Sequence, residues 1–300
     1  MVYIILVNWN NFHDTIKCLS SLRCLLNAVE TRILVCDNFS TDDSVSKINE
    51  YSKSFNDVQI VKNYSNLGFA AGCNLGMSFA LSDPRMKYVW LLNNDTVVEE
   101  NSLTEMIEII SDNPKIGICG SILLYEHKRD IIQSVGGRYN SWLGLSSNVL
   151  ANKKYVPDIF DNFNLRNIDY VVGASMLVTR SFIENVGLMD ERYFLYCEDL
   201  DWATRAKQAG YELGVATKSF VYHKEGATTK SSSHMRRVMR SGLSDYYALR
   251  SHLHYAHKFS PSLKFRIVRS FCLIKSLKRL IQFDFEGAKR SLHFFIYGLN

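Results

Sequence analysis

Several features that mark specialised classes of protein are scarce in this sequence. Its 300 residues include only 4 prolines and 16 glycines, too few for a collagen-like or low-complexity chain. The 7 cysteines contain no Cys-x-x-Cys pair, which argues against a zinc knuckle or a redox motif. No apolar run approaches the roughly 20 residues of a membrane-spanning helix. The 47% of hydrophobic residues are instead typical of a globular protein with a sizeable core.

The cysteines and the first residues bear on the compartment. Cys36, Cys73 and Cys119 lie among apolar or small residues, so we expect them to be buried thiols. Because unpaired buried thiols are typical of a reducing compartment, we expect a cytoplasmic protein. Val2–Val7 is apolar but too short for the apolar region of a signal peptide, and no basic region precedes it.

Charge is distributed unevenly along the chain. Residues 230–300 contain 14 Lys and Arg against 3 acids, a net charge of +11, whereas the whole chain carries only +5. The first 229 residues therefore carry −6. An acidic body followed by a basic segment predicts a protein of two parts, with the boundary near Thr229–Ser231.

Strand and helix patterns alternate over the first 115 residues. A continuous apolar run predicts a buried strand at Val2–Val7. Further strands are predicted at Arg32–Cys36, Val58–Val61 and Tyr88–Leu92. Helical spacing predicts helices at Asp14–Leu26, Thr41–Tyr51, Gly72–Leu81 and Ser102–Ile110. This alternation predicts an α/β fold with a parallel sheet.

The pattern changes after Lys115. Strands are predicted at Ile116–Leu124, Asp169–Thr179 and Leu213–Tyr222, a hairpin-like region at Ile131–Leu150 and a helix at Leu200–Ala209. From about Ser231 the chain is helical and basic, and Leu263–Ile281 has the spacing of a basic amphipathic helix.

Polar residues follow four of the predicted strands. They are Asn8 and Asn10, Asp37 and Asn38, the Asn66–Gly72 segment, and Asn93-Asn94-Asp95. Each alone favours a turn or a helix cap, but parallel strands end at one edge of a sheet, where ligands bind. Asn66–Gly72 suits a phosphate at a helix start, although it matches neither the dinucleotide fingerprint nor the P-loop.

Three further features carry candidate chemistry. Asp95 follows an apolar strand and is either a helix N-cap or a carboxylate ligand for Mg²⁺ or Mn²⁺ on phosphates. Glu198, Asp199 and Asp201 begin a predicted helix, where they favour the helix dipole or, by mutual repulsion, raise the pKa of one carboxyl enough to make it a base. His223 ends the last strand and is structural or a ligand for metal or phosphate.

In their order along residues 1–229, these segments resemble the inverting glycosyltransferases of family 2, most closely the bacterial rhamnosyltransferase-like group. The matching blocks are NWN, DNFSTDDS, NLGFAAGCNLG, LLNNDTVV, VVGASMLVTR, GLMDERYFLYCEDLDWATRAKQAGY, and VYH followed by GATT. The resemblance implies a GT-A fold, in which a mostly parallel nucleotide-binding sheet is flanked by helices. Residues 1–115 would then bind the nucleotide-sugar, residues 116–229 would bind the acceptor and carry catalysis, and 230–300 would form a basic helical C-terminal extension.

The resemblance also implies roles for matching residues. Asp37 would contact the nucleotide base, with Asn8, Asn10 and Asn38 in the same pocket, while Asn66, Gly68 and Asn74 would lie along the nucleotide-sugar. Asn93-Asn94-Asp95 occupies the D-x-D position, where Asn93 leaves one carboxylate, Asp95, to bind the metal with His223. Asp199 matches the catalytic base, and Glu198, Asp201 and Trp202 would support it or bind substrate.

The implied reaction is an inverting transfer in bacterial surface-polysaccharide synthesis. L-rhamnose from dTDP-L-rhamnose is the first choice, and the acceptor is a glycan or a polyprenyl-diphosphate-linked glycan. UDP-linked hexoses, including galactofuranose, are alternative donors, and a non-catalytic nucleotide-sugar- or carbohydrate-binding relative is an alternative function. A sugar nucleotidyltransferase would need a Gly-rich loop after the first strand, where NWNNFHD has no glycine.

The basic segment has two interpretations. A basic amphipathic helix is typical of an interfacial segment, so we expect it on the anionic cytoplasmic face of the membrane, as a peripheral contact. The alternative is packing on the body or on a second subunit in a homodimer. Nucleic acid is not expected, because no recognised binding motif accompanies the positive charge.

Overall fold

The computed structural model describes residues 1–25, 29–53, 58–161, 164–165, 167–224, 242–282 and 284–298. The chain forms two compact units. The first comprises Met1–Arg138, Asn148–Glu191 and Glu198–Glu225, and the second comprises Tyr139–Ser147, Arg192–Cys197 and Gly226–Asn300. The predicted boundary near Thr229–Ser231 lies outside the described residues.

The strands form one large sheet and one small one. Their bounds are β1 Val2–Asn8, β2 Thr31–Asp37, β3 Val58–Lys62, β4 Tyr88–Asn93, β5 Thr96–Val98, β6 Ile116–Tyr125, β7 Lys128–Ser134, β8 Gly137–Asn140, β9 Leu145–Asn148, β10 Ser175–Thr179 and β11 Glu212–His223. The large sheet has the order β3-β2-β1-β4-β10-β6-β11-β5, with β7 paired to β6. β8 and β9 pair with each other.

The first half of the large sheet is parallel, as predicted. β3, β2, β1 and β4 run in one direction, and β6 pairs in parallel with β11. β10 is inserted antiparallel between β4 and β6, and β5 is antiparallel to β11. The predicted α/β class is therefore confirmed, with a sheet that becomes mixed beyond β4.

Helices alternate with many of these strands along the chain. Their bounds are α1 Phe12–Leu22, α2 Ser44–Ser52, α3 Phe69–Leu81, α4 Ser102–Asp112, α5 Arg180–Val186, α6 Glu198–Gln208, α7 Gly242–Phe259, α8 Ser262–Ile281 and α9 Phe285–Tyr297. Apolar residues of β1 are buried along the strand, as expected for a strand covered on both faces. α3 approaches β1 closely, because a Cβ on Gly76 would lie 2.7 Å from Ile5 Cγ2.

The sequence patterns did not predict two of the elements, and one predicted strand is longer than the observed one. β5 and α5 were not predicted, and Thr96 begins β5 rather than a helix. The strand predicted from Asp169 begins only at Ser175, because the preceding loop uses its backbone elsewhere: Gly173 N donates to the Asp199 carboxylate. Cys36, Cys73 and Cys119 are buried as predicted, and none of the seven cysteines, all in described ranges, forms a disulfide.

The second unit has its own small core, built on α7, α8 and α9. Its buried apolar members are Leu249, Leu253, Ala256, Val268, Cys272 and Phe294. Asp245 of α7 binds Arg279 of α8 at 2.5 Å and Arg290 of α9 at 3.3 Å, which links all three helices. In the parts of the chain that the structure describes, no helix is both long and apolar enough to cross a membrane.

Candidate active site

Strand register brings the polar strand ends of the first unit together. Asn8 of β1 lies opposite Asp37 of β2, and Val7 lies opposite Asn93 of β4. These residues share the carboxyl edge of the parallel strands, where ligands bind in open α/β sheets. The convergence predicted from the sequence is therefore present.

The Asp37 carboxylate organises the loop that follows β2. Asn8 Nδ2 donates to Asp37 Oδ1 at 2.9 Å, and the Ser40 hydroxyl donates to the same oxygen at 2.6 Å. Ser40 N donates to Oδ2 at 3.0 Å, and Asn10 receives the backbone N–H of Thr41 at 2.8 Å. Asp37 and Asn8 are buried, and their hydrogen bonds hold this loop in place at the carboxyl edge of the sheet.

A second amide network shapes the loop before α3. Asn38 Nδ2 donates to Asn66 Oδ1 at 3.0 Å and to the Gly68 carbonyl at 2.9 Å. Gly68 N donates back to Asn66 Oδ1, and Gly68 has a φ of 89°, a left-handed backbone that favours glycine. Among the predicted site residues, Asn38, Asn66 and Gly68 thus form one contiguous cluster.

Asn74 is engaged by neighbouring backbone. Its Nδ2 donates to the Met189 carbonyl and to Glu191 Oε1 at 2.9 and 2.8 Å, and Met189 N donates to its Oδ1 at 3.0 Å. Both amide hydrogens are used, so this buried side chain clamps α3 to residues 189–191. It therefore positions that segment, and its place along the nucleotide-sugar, which the resemblance implies, stays a prediction.

Asn93, Asp95 and His223 meet where β4, β5 and β11 come together. His223 Nε2 lies 3.1 Å from Asp95 Oδ1 and 3.3 Å from Asn93 Nδ2. The other ring nitrogen, Nδ1, lies 2.8 Å from Gln133 Oε1. Both ring nitrogens of His223 therefore lie within hydrogen-bond distance of polar side chains, which fixes the orientation of the imidazole.

The donor set of this cluster fits a divalent cation. An imidazole nitrogen and a carboxylate oxygen, here 3.1 Å apart, are both groups that bind divalent cations in proteins. No third His, Cys, Asp or Glu completes a metal cluster among the described residues. Asp95 and His223 are therefore a two-residue site, which suits an ion that takes further oxygens from phosphates and water.

Two carboxyls begin α6. Asp199 Oδ1 accepts from Leu200 N at 2.8 Å, and Oδ2 accepts from Gly173 N at 3.1 Å. Glu198 is only 6% exposed, and its Oε2 makes no hydrogen bond with any residue that the structure describes. The chain enters α6 through Tyr196 and Cys197, both with left-handed backbones, a strain that tends to occur at functional sites.

Burial raises the pKa of both carboxyls. It raises the pKa of Asp199 to about 6, and the backbone N–H donors of Gly173 and Leu200 oppose part of that rise. Burial and the neighbouring Asp199 charge raise the pKa of Glu198 to about 8. At neutral pH Asp199 is therefore the ionised member of the pair, and Glu198 keeps its proton.

One loop ties the carboxyl pair to the strand ends. Gly173 N donates to Asp199, and the next residue, Ala174, accepts at its carbonyl from Asn93 N at 3.0 Å. The start of α6 and the end of β4 are thus held by adjacent residues. This places the candidate base beside the Asn93-Asn94-Asp95 segment.

Two predicted substrate-binding residues belong instead to the core. The Trp202 ring is fully buried, packs 5.0 Å from the Phe182 ring and donates from Nε1 to the Gly187 carbonyl. Asp201 is fully buried and binds Arg205 at 2.7 Å. The helical period explains this correction, because positions 201 and 202 turn inward while 199 faces the loop at Gly173.

Some residues of the site were missed by sequence reasoning. Thr15 donates to Asn8 Oδ1 at 2.8 Å and accepts from Asn94 Nδ2 at 2.8 Å, so it joins the β1 and β4 strand ends. Lys224 binds Asp14 at 2.6 Å, and its backbone N–H donates to the Asp95 carbonyl. Burial of Asp14 acts to raise its pKa, but hydrogen bonds from Lys224 and Asn11 outweigh it and lower that pKa.

The sheet and this crevice define a class of protein. A parallel α/β half with polar strand ends, and a buried carboxyl pair at a helix start that is held to the end of β4 through residues 173 and 174, match the GT-A glycosyltransferase fold that the resemblance implies. The chain belongs to glycosyl transferase family 2, because the sequence model of that family matches residues 3–185, more than half of the chain.

Characterised relatives are similar at low identity. The low-salt glycan biosynthesis hexosyltransferase Agl10 of Haloferax volcanii is 23% identical over 214 residues, covering 70% of this chain and 63% of that protein. The N-acetylglucosaminyl-diphospho-decaprenol L-rhamnosyltransferase of Mycobacterium tuberculosis is 25% identical over 224 residues, 68% of this chain and 70% of the relative. The dTDP-rhamnosyl transferase RfbF of Shigella flexneri is 20% identical over 254 residues, 83% and 78% of the two chains.

A solved structure confirms the fold. The mannosyltransferase PcManGT of Pyrobaculum calidifontis, solved with GDP-Man and Mn²⁺, aligns with a TM-score of 0.59 at 14% identity, covering 97% of this chain and 73% of that one. The GT-A fold expected from the resemblance is thus confirmed.

Proposed function

We propose that the protein is an inverting glycosyltransferase that moves L-rhamnose from dTDP-L-rhamnose to a lipid-linked glycan acceptor. The observation that carries the reaction type is the Asp199 carboxylate, ionised at neutral pH and fixed by two backbone N–H groups beside the end of β4. A single positioned base is what an inverting displacement requires.

The strand-end loops bind the donor. Asp37 and Asn8 brace the loop after β2, and Trp9 and Phe39 present exposed aromatic rings beside it, on which a nucleotide base can stack. Asn38, Asn66 and Gly68 hold the turn before α3, whose first N–H groups face an anionic diphosphate.

Asp199 acts on the acceptor. It removes the proton from the acceptor hydroxyl as the oxygen attacks C1 of the sugar from the face opposite the nucleoside diphosphate. The bond from C1 to the diphosphate oxygen breaks in the same step, so the configuration at C1 is inverted. Glu198 remains protonated and supports the local electrostatics of the pair.

Asp95 and His223 would hold Mg²⁺ or Mn²⁺. When bound there, the ion supplies positive charge that stabilises the leaving diphosphate. Asn93 contributes an amide in place of a second carboxylate. PcManGT, of similar fold, was solved with Mn²⁺, which supports the assignment.

The names of two relatives guide the choice of substrate. Both bacterial relatives are named rhamnosyltransferases, and one name contains a polyprenyl-diphosphate sugar. We therefore place the reaction at the inner face of the cell membrane, where lipid-linked acceptors are built. UDP-linked hexoses are the second-choice donors, because the Asp37 pocket does not separate thymine from uracil.

Ligand-induced stabilisation tests this proposal. A donor that binds the native state raises the unfolding temperature, so dTDP-, UDP- and GDP-sugars should be compared with and without Mn²⁺. We expect the largest rise from dTDP-L-rhamnose with Mn²⁺. A chain that no nucleotide-sugar stabilises would refute the proposed function.

A further inference from the structure

The helix α8 turns an apolar stripe away from its own core. Leu263, Ile274, Leu277 and Ile281 are 64%, 56%, 54% and 80% exposed. At 3.6 residues per turn these four positions fall on one side of the helix. An ordinary surface helix directs its apolar stripe inward, so this arrangement is inverted.

The opposite side of α8 packs against the core of the second unit. Val268 and Cys272 are buried in the core of the second unit with Leu249 and Leu253 of α7. Ser276, one turn further on, is buried and donates to the Ala288 carbonyl of α9 at 2.8 Å. The exposed stripe is therefore not needed to fold the helix against its neighbours.

The helix α9, which packs beside α8, has an exposed apolar side of its own. Arg269 of α8 donates to the carbonyls of Phe295 and Ile296 at 2.7 and 2.5 Å, which sets the two helices side by side. Phe285, Leu292 and Ile296 of α9 are exposed. We call the seven residues the outer face: Leu263, Ile274, Leu277, Ile281, Phe285, Leu292 and Ile296.

Positive charge surrounds the outer face. Residues 262–298 contain eight Lys and Arg against two acids, a net charge of +6. Arg279 and Arg290 form ion pairs with Asp245, but Arg266 and Lys278, which border the stripe on α8, make no ion pair with any described residue. Apolar side chains bordered by unpaired cations match an anionic lipid surface.

We propose that the outer face is the membrane-docking surface of this protein, with its apolar side chains inserted at the headgroup boundary of an anionic bilayer and Arg266 and Lys278 on lipid phosphates. A large exposed apolar patch is rare on a monomer and marks an interaction site. A second copy of the chain is the weaker occupant, because a two-fold interface would bring the unpaired Arg266 and Lys278 of both copies to the same surface.

Vesicle flotation of the full chain tests the apolar part of this surface. Wild type should float with phosphatidylcholine vesicles containing phosphatidylglycerol and less with pure phosphatidylcholine. Ile274→Ser with Ile281→Ser should lower partitioning by about tenfold or more, since two apolar anchors are lost. Val156→Ser, which changes an exposed apolar residue of the first unit, should leave flotation unchanged.

Charge reversal tests the electrostatic part. Arg266→Glu with Lys278→Glu should weaken binding to anionic vesicles by about tenfold or more, because each basic residue near the surface contributes about 1 kcal/mol. Lys53→Glu with Lys128→Glu makes the same change in net charge at exposed positions of the first unit and should have little effect. Binding of the wild type should also fall as salt is raised, a readout that needs no variant.

Equal flotation of all these proteins, or binding by the wild type that salt does not weaken, would overturn the proposal. So would a wild-type dimer that Ile274→Ser with Ile281→Ser converts to a monomer while flotation is unchanged, which would assign the outer face to a second copy. Unchanged thermal unfolding shows that the substituted chains fold. Vesicle binding needs neither donor nor acceptor, so its outcome is separate from that of the proposed sugar transfer.

Discussion

Replacing Asp199 by Asn tests the proposed base most sharply. The amide cannot take a proton from the acceptor hydroxyl, and loss of a positioned general base lowers kcat by about 10²- to 10⁴-fold. Asp199 is held by Gly173 and Leu200 N–H groups and not by the donor-binding loops. We therefore expect the Kd for the nucleotide-sugar to stay within about twofold, well below the tenfold that 1.4 kcal/mol represents.

The raised pKa of Asp199 sets the pH dependence of the wild type. With a pKa of about 6, the carboxyl is ionised in about ten molecules of eleven at pH 7 and in about one of eleven at pH 5. The base form is lost as pH falls, so kcat should decrease about tenfold between pH 7 and pH 5. Release of nucleoside diphosphate in the presence of acceptor measures this profile.

Glu198→Gln is the matched control. Glu198 holds its proton at pH 7 because burial and the Asp199 charge raise its pKa to about 8, and glutamine is a neutral group of the same shape. We expect kcat at pH 7 within about threefold of wild type, since the ionised base is retained. Turnover of Asp199→Asn near the wild-type rate, or a loss in Glu198→Gln as large as in Asp199→Asn, would refute this assignment.

Three further predictions follow from the same contacts. Asp95→Ala should weaken nucleotide-sugar binding in the presence of Mn²⁺ but not in its absence, as measured by calorimetry, because it removes one of two cation ligands. The native state binds the proton of Glu198 more tightly than the unfolded state does, so the free energy of unfolding of the wild type should fall as pH rises from 5 to 8. Glu198→Gln carries no such proton, so its stability should increase by about 3 kcal/mol relative to that of the wild type over this range, as measured by denaturant unfolding. Trp202→Ala should cost about 3 to 5 kcal/mol of folding free energy with an unchanged donor Kd, because the ring is fully buried in the core; an altered Kd with unchanged stability would return Trp202 to the site.

Much of the first unit was predictable because its strands are apolar on both faces. Val2–Asn8 is buried along its length, so a continuous apolar run was sufficient to identify it. The convergence of the polar strand ends was predictable as well, because parallel strands place their carboxyl ends at one edge of the sheet. The pairing of Asn8 with Asp37 is a direct consequence of that register.

Other features depend on contacts that local patterns do not contain. Thr15 joins Asn8 to Asn94, residues that are distant in sequence, and nothing in its neighbours signals that role. The residues at 169–174 read as a strand by composition, yet Gly173 N is drawn to Asp199. Trp202 lies in a motif with three acids, but the helical period buries it.

The anomeric configuration of the product tests the central claim most directly. The chain should be incubated with dTDP-L-rhamnose, Mn²⁺ and a polyprenyl-diphosphate-linked N-acetylglucosamine, and the new linkage read by NMR. We predict transfer with a configuration at C1 opposite to that of the donor, as attack by a hydroxyl deprotonated by Asp199 requires. Retention of the donor configuration, or no transfer from any dTDP-, UDP- or GDP-sugar, would contradict the account.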